Sequence, residues 1–217
     1  MRLRQWCAWT FILFLVAMPM VAADLGEDNP AQKKDEKPAA MPAMSEEDMA
    51  YMQAMMKAGE VTDNHKGLAK FAGEWETKAT FWMKPGAEPM VSTGKSVNKL
   101  IFGGRFVEQR FSGDMMGQPF EGIGYTGYDN IKEKFVGTWM DSMGTGVMSS
   151  LGSADKEGGW TFSAFYDDPM TRKTVEYKEK IKVVDDHHHI FEMWGPDKSG
   201  TMFKMMEIHY TRAGSAH

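Results

Sequence analysis

From Lys66 to Arg212 the chain never runs long enough without a turn residue to lay a helix across a sheet. Short aromatic and β-branched runs are broken about every 8 to 14 residues by Gly, Pro, Asn or Asp, as at Lys84-Pro85-Gly86, Gly127-Tyr128-Asp129-Asn130 and Pro196-Asp197-Lys198-Ser199-Gly200. Parallel strands need crossovers of about a dozen residues or more, so this spacing argues against a parallel sheet and for antiparallel hairpins. About ten strands are predicted, near 73–83, 90–101, 104–113, 119–128, 134–142, 145–153, 159–166, 172–184, 188–194 and 201–212. Ten sequential antiparallel strands leave two unpaired edges unless they close, and an up-and-down barrel removes both. Glycines inside the strands, Gly122, Gly124 and Gly137, are expected to permit the sharp bends of closure. A two-sheet sandwich is the alternative fold. An outer-membrane barrel fits less well, because the strands lack a sustained lipid-facing apolar band.

The residues before this segment differ in texture. Arg2 and Arg4 precede an uncharged apolar run, Thr10–Ala23, which ends on the small residues Val21-Ala22-Ala23 and is too short for a stable membrane span. We read residues 1–23 as a signal peptide and the protein as exported, to the periplasm or the medium. No transmembrane segment is expected after its removal. Two arginines and no acids leave with it, taking the formal charge from −5 to −7, so a nucleic-acid partner is not expected. The one cysteine, Cys7, leaves too, which excludes a disulfide, a thiol nucleophile and a zinc-cysteine site in the mature chain. Residues 24–44 mix Pro, Ala, Lys and acids with no repeating apolar position and read as a disordered linker. Residues 45–59 read as one short amphipathic helix, with Ser45 and Asp48 as a capping box and Gly59 at its end. Met49, Met52, Met55 and Met56 form its apolar stripe, expected to dock on the barrel or cap its mouth. Soft thioethers can hold Cu(I), but no paired histidine-methionine motif accompanies them, and packing is the expected role.

The run from His65 onward resembles a bacterial domain-of-unknown-function family, number 1579. The resemblance rests on HKGLAKFAGEW (65–75), KPGAEP (84–89), GGRFVEQRFSG (103–113), GQPFEGIGYTGYDN (117–130), KFVGTWMDSMGTGVM (134–148) and MMEIHYTR (205–212), in that order. It implies a lipocalin-like or calycin-like barrel over residues 65–212 and no settled activity. Gly73-x-Trp75 is similar to the Gly-x-Trp signature of the first lipocalin strand, which implies that Trp75 closes the barrel floor.

Candidate site residues follow from strand parity. Trp139 and Asp141 share one face of their strand, and Asp141 is also placed to accept backbone donors at the strand end before Gly144. Tyr210 and Arg212 share a face of the last strand and could hold a ligand carboxylate, an arrangement similar to the Arg and Tyr of fatty-acid-binding barrels. Arg105 and Arg110 have opposite parity, so without a bulge at most one points inward. His209 resembles the late histidine that binds haem in nitrobindin barrels and is a cofactor candidate, with Glu207 and Thr211 on its face. His187 and His189 would share a strand face and are candidate metal ligands, although Asp185-Asp186-His187-His188-His189 reads first as a solvated hairpin tip. No nucleophile elbow, phosphate-binding loop, zinc-protease helix or dinucleotide fingerprint is present.

The reading that results is an exported binding protein holding a small apolar or amphipathic ligand inside the barrel, with no cofactor and no catalytic residue assigned. Tyr210, Arg212, Trp139 and Asp141 are its ligand-binding candidates. The alternatives are an enzyme of unknown reaction, using Asp141 or His209 as acid or base, and an interaction module with a filled core. Oligomeric state is not set by the sequence.

Overall fold

The computed structural model describes residues 44–214, so the segment expected to be a signal peptide and all but the last residue of the expected linker lie outside the described residues. Ten antiparallel strands form one closed barrel: β1 (Gly73–Phe81), β2 (Met90–Ile101), β3 (Phe106–Met115), β4 (Gln118–Asp129), β5 (Lys134–Asp141), β6 (Met148–Ala154), β7 (Trp160–Asp167), β8 (Thr174–Asp185), β9 (His188–Pro196) and β10 (Met202–Arg212). Each strand pairs with the next, and β1 pairs with β10, from Trp75 opposite Arg212 to Phe81 opposite Met206. Alternation decides which side chains enter the lumen. On β1, Trp75, Thr77 and Ala79 are buried while Glu74, Glu76 and Lys78 between them are exposed. Register carries this parity around the barrel, so Val107, Gln109 and Phe111 of β3 and Phe135, Gly137 and Trp139 of β5 also face inward.

The interior glycines do not act as bends. None of Gly122, Gly124 and Gly137 has a positive φ, and β4 runs unbroken through twelve residues. What these positions require is the absence of a side chain. A Cβ at Gly122 would lie 2.2 Å from the Trp139 ring, one at Gly124 2.9 Å from it, and one at Gly137 2.4 Å from the Ser150 hydroxyl. Gly152 likewise sits under the Phe162 ring, and Gly195 under Met205 and Tyr177. Aromatic side chains therefore lie along the wall over glycine instead of projecting across the lumen. Closure itself needs only the tilt and twist of the strands, aided by bulges at Lys204/Met206 and Val183/Asp185.

One end of the barrel is plugged. A short helix, α2 (Asp63–Lys66), continues into a 3-10 turn, Gly67–Phe71, whose Leu68 and Phe71 enter the lumen mouth and pack with Val107, Phe135, Trp160 and Phe162. Helix α1 (Glu46–Ala58) forms as expected, with the Ser45/Asp48 capping box closed in both directions. Its methionine stripe does not dock. Met49, Met52, Met55 and Met56 are all exposed and no residue of α1 is buried, so the expectation that the stripe caps the mouth is corrected. The reason is where the helix is held: only its C-terminal carbonyls are gripped, Gly59 by Arg105, and Ala58 and Glu60 by Asn130.

The wall geometry predicts that Gly122→Ala loses about 1–3 kcal/mol in urea unfolding, because the Trp139 ring cannot move away without leaving its own glycine bed. Gly67→Ala, at a site with helical dihedrals and nothing within 4 Å, is the control and should be neutral or slightly stabilising.

Candidate functional site

The plugged end is a polar and aromatic floor tied together by hydrogen bonds. The Trp75 indole donates to the Phe71 carbonyl at 3.0 Å, and the Asn98 amide donates to the same oxygen at 2.9 Å. Ser96 donates to Asn98, and Gln109 donates to both Ser96 and the Tyr210 hydroxyl. Tyr210 is buried and stacks on His189 with ring centroids 4.3 Å apart, and Trp75 meets the same imidazole edge-on at 4.4 Å. Arg212 lies 4.2 Å over the Trp75 ring and donates to the carbonyls of Lys70, Ala72 and Asp186. Burial pushes the Tyr210 hydroxyl up to about 12. Burial, reinforced by the Arg212 charge, pushes His189 down to about 3, so it stays neutral in any ordinary buffer. Next to this floor is a cavity of about 60 Å³, lined by Asn98, Gln109, Thr126 and Tyr210 among others. That is room for a few waters and far below the roughly 300 Å³ of a small-molecule pocket.

The other half of the lumen is built differently. Among its inward-facing residues Ala79, Phe120 and Ala164 are buried, but Phe81, Phe111, Trp139, Met148, Ser150, Tyr166, Tyr177, Glu179, Met193 and Met206 are only half-buried, whereas Phe135, Trp160 and Phe162 at the plugged end are at most 5 % exposed. Solvent therefore reaches the interior from this end. At the rim Asp141 accepts from the Trp139 indole and from the Met143 backbone, both at 2.9 Å, which fixes the ring on its glycines. Glu179, deeper on β8, faces Ser150 of β6 across β7, where the inward residue is the small Ala164. Burial pushes the Glu179 carboxyl up to about 7, partly offset by Ser150. On β1, the Thr77 hydroxyl is buried without a hydrogen-bond partner among the described residues.

These positions sort the sequence candidates. Trp139 and Asp141 do face the open lumen. Tyr210 and Arg212 are brought together, but on the floor, where the guanidinium donates to three backbone carbonyls. His209 is on the outer wall, exposed and paired with Glu207 at 2.8 Å, so it is no lumen ligand for haem and shares no pocket with Asp141. His187 and His189 do not share a face: His187 sits in the exposed β8–β9 turn and His189 is inside, so the metal pairing is corrected. Among the described residues no cluster of three or more His, Cys, Asp or Glu could hold a metal. Neither Arg105 nor Arg110 points inward; Arg110 pairs with Glu108 on the outside. The sequence reading missed Glu179, Ser150, Ser96, Asn98 and Gln109. Parity could have found the first two, since Glu179 shares the inward face of β8 with Val175, Tyr177 and Ile181.

A closed ten-stranded antiparallel barrel with a plugged floor and one solvent-reached end is a lipocalin-like barrel. The chain belongs to the family of proteins of unknown function DUF1579, which matches residues 60–212. Among solved structures it is similar to the S-type phycobiliprotein lyase CPES from Guillardia theta, at 11% identity and a TM-score of 0.51 over 74% of this chain and 98% of that one. It is also similar to Rv2717c from M. tuberculosis, at 11% identity and a TM-score of 0.50 over 70% of this chain and 99% of that one. At that identity the likeness concerns the fold alone. Among curated proteins none matches the sequence.

His189 and Glu179 have opposite pH dependences. His189, depressed from 6.5 to about 3, contributes stability that is present above pH 6.5 and lost as pH falls toward 3. Glu179, raised from 4.5 to about 7, contributes stability that is present below pH 4.5 and lost as pH rises through 7. Between pH 4.5 and 6.5 the two offset each other. Relative to wild type, Glu179→Gln should therefore gain a stability that climbs with pH across that window, and His189→Phe one that declines, each by up to about 1.4 kcal/mol per pH unit. Urea titrations at pH 4.5, 5.5 and 6.5 measure both slopes; parallel curves for all three proteins would contradict the burial of these groups.

Proposed function

We propose that this is an exported binding protein that takes a small apolar or amphipathic ligand into the open half of its barrel. The observation that carries the reading is the contrast between the two ends. The same inward strand positions are sealed at the plugged end and solvent-reached at the other, where they are lined by Phe81, Phe111, Trp139, Tyr166, Tyr177 and the Met148, Met193 and Met206 thioethers. Apolar surface left in contact with water inside a concave wall gives a ligand hydrophobic burial that costs the protein no rearrangement. Export follows from the apolar N-terminal segment and its small-residue cleavage site. Catalysis has no motivating cluster: Asp141 is committed to Trp139 and the Met143 backbone, and His209 faces away.

The test is binding of a neutral apolar fluorophore, N-phenyl-1-naphthylamine, read by its emission and by quenching of intrinsic tryptophan. Met193→Trp, which fills the open half, should weaken binding about tenfold or more, as loss of a hydrophobic slot does. Tyr210→Phe, on the floor, should leave it unchanged. No binding to wild type, or equal binding to the Met193→Trp variant, would contradict an open lumen.

A further inference from the structure

We propose that the ligand is a hydrophobic amine, an apolar body whose protonated amino head pairs with the Glu179 carboxylate in the open half of the lumen. The proposal rests on the ligand-binding reading above and specifies its chemistry.

The charge pattern of the wall carries it. Strand parity places Glu179 and Asp141 inside the open half and places no lysine or arginine there; Lys78, Lys95, Arg110, Lys178 and Lys204 all lie on outward positions. The one inward guanidinium, Arg212, is at the opposite end and donates to three backbone carbonyls. Inside the wall, past the rim loops, an anionic ligand such as a fatty acid would face two carboxyl groups and no inward cation. A cationic head meets the reverse.

Glu179 is the specific partner. Asp141 has its two oxygens engaged by the Trp139 indole and the Met143 amide, whereas Glu179 has only the neutral Ser150 hydroxyl to offset its burial. A carboxylate withdrawn from water with one neutral hydrogen bond is costly, and an ammonium group with apolar surroundings supplies the missing charge and donors. The position is held open by small residues. Gly137 leaves room for the Ser150 hydroxyl, and Ala164 leaves the path from Ser150 to Glu179 clear. Around that path the apolar lining of Tyr177 and Met193, with the sealed-end Phe162 beneath them, suits a hydrocarbon or aromatic body.

The protonation state of Glu179 adds a pH response. The register neighbours of Glu179 are Phe162 on β7 and Met193 on β9, neither ionisable, and its other partner is Ser150 of β6. On its own strand Tyr177 has its hydroxyl pushed up by burial; Asp141 stands at the rim of β5, and Lys84, Arg172, Lys173 and Lys198 belong to the rim loops. The empty carboxyl ionises near 7, so an amine that is charged throughout must displace a proton to bind at lower pH.

Decylamine, decan-1-ol and decanoate share one chain and differ in head charge. Each is used at micromolar concentration in 0.15 M salt to displace N-phenyl-1-naphthylamine from the full chain. The expected result is that decylamine binds about tenfold tighter than decan-1-ol, that decanoate binds weakest, and that Glu179→Gln removes the preference for the amine while leaving decan-1-ol unchanged. In wild type, decylamine affinity should rise about tenfold from pH 6 to pH 8 while that of decan-1-ol stays flat, a measurement independent of any variant. Equal or tighter binding of decanoate, or an amine preference that survives Glu179→Gln with no pH response, overturns the proposal and leaves the lumen reading standing. Failure of all three compounds and of the fluorophore overturns the lumen reading itself.

Discussion

Three consecutive backbone carbonyls, those of Lys70, Phe71 and Ala72, tie this barrel together. They emerge where a 3-10 turn ends and β1 begins, the place where a helix leaves acceptors without partners. Arg212 of β10 takes the first and third, and the Trp75 indole and the Asn98 amide of β2 share the second. Donors from three strands converge on one short piece of chain. The seam between β1 and β10, the last pair to form in sequence order, is thereby locked by a side chain from one strand lying on a side chain from the other. Arg212 covers the Trp75 ring while it donates to the carbonyls, so the last strand's Arg has an architectural role at the seam.

Sealing one end so thoroughly makes the other the place where function can reside. Ser96, Asn98, Gln109 and Tyr210 of the floor are hydrogen-bonded to one another, and the remaining space there suits water. At the far end the unmatched features accumulate: half-buried aromatic rings, thioethers, and a carboxyl with one neutral neighbour. Proteins retain such groups where binding or chemistry rewards them, and here they face the same volume.

Much of the fold is legible in residue spacing alone. Ten runs separated by turn residues, with no crossover, require an antiparallel meander, and the end-on closure follows from the cost of open edges. Parity also places Trp139 and Asp141 correctly. Parity cannot tell which end of a strand is plugged, since that depends on where residues 67–71 fold back, and so Tyr210 and Arg212 look the same from sequence whether they anchor a ligand or a floor. His187, His188 and His189 fail for a related reason. A turn ends within the run, so neighbours in sequence face opposite environments, and His189 alone goes inside. The α1 stripe has helical spacing without a docking site, because periodicity records an apolar face and not what covers it.

The glycine beds beneath the aromatic rings have a consequence for how such a chain can change over generations. Trp139 lies on Gly122 and Gly124 of the neighbouring strand, and Phe162 on Gly152. Enlarging either glycine alone collides with a ring, and shrinking the ring alone leaves a groove. Positions 122, 124 and 139 are therefore expected to drift together or not at all, a triplet inherited as a unit, with the width of the lumen as the trait that it transmits.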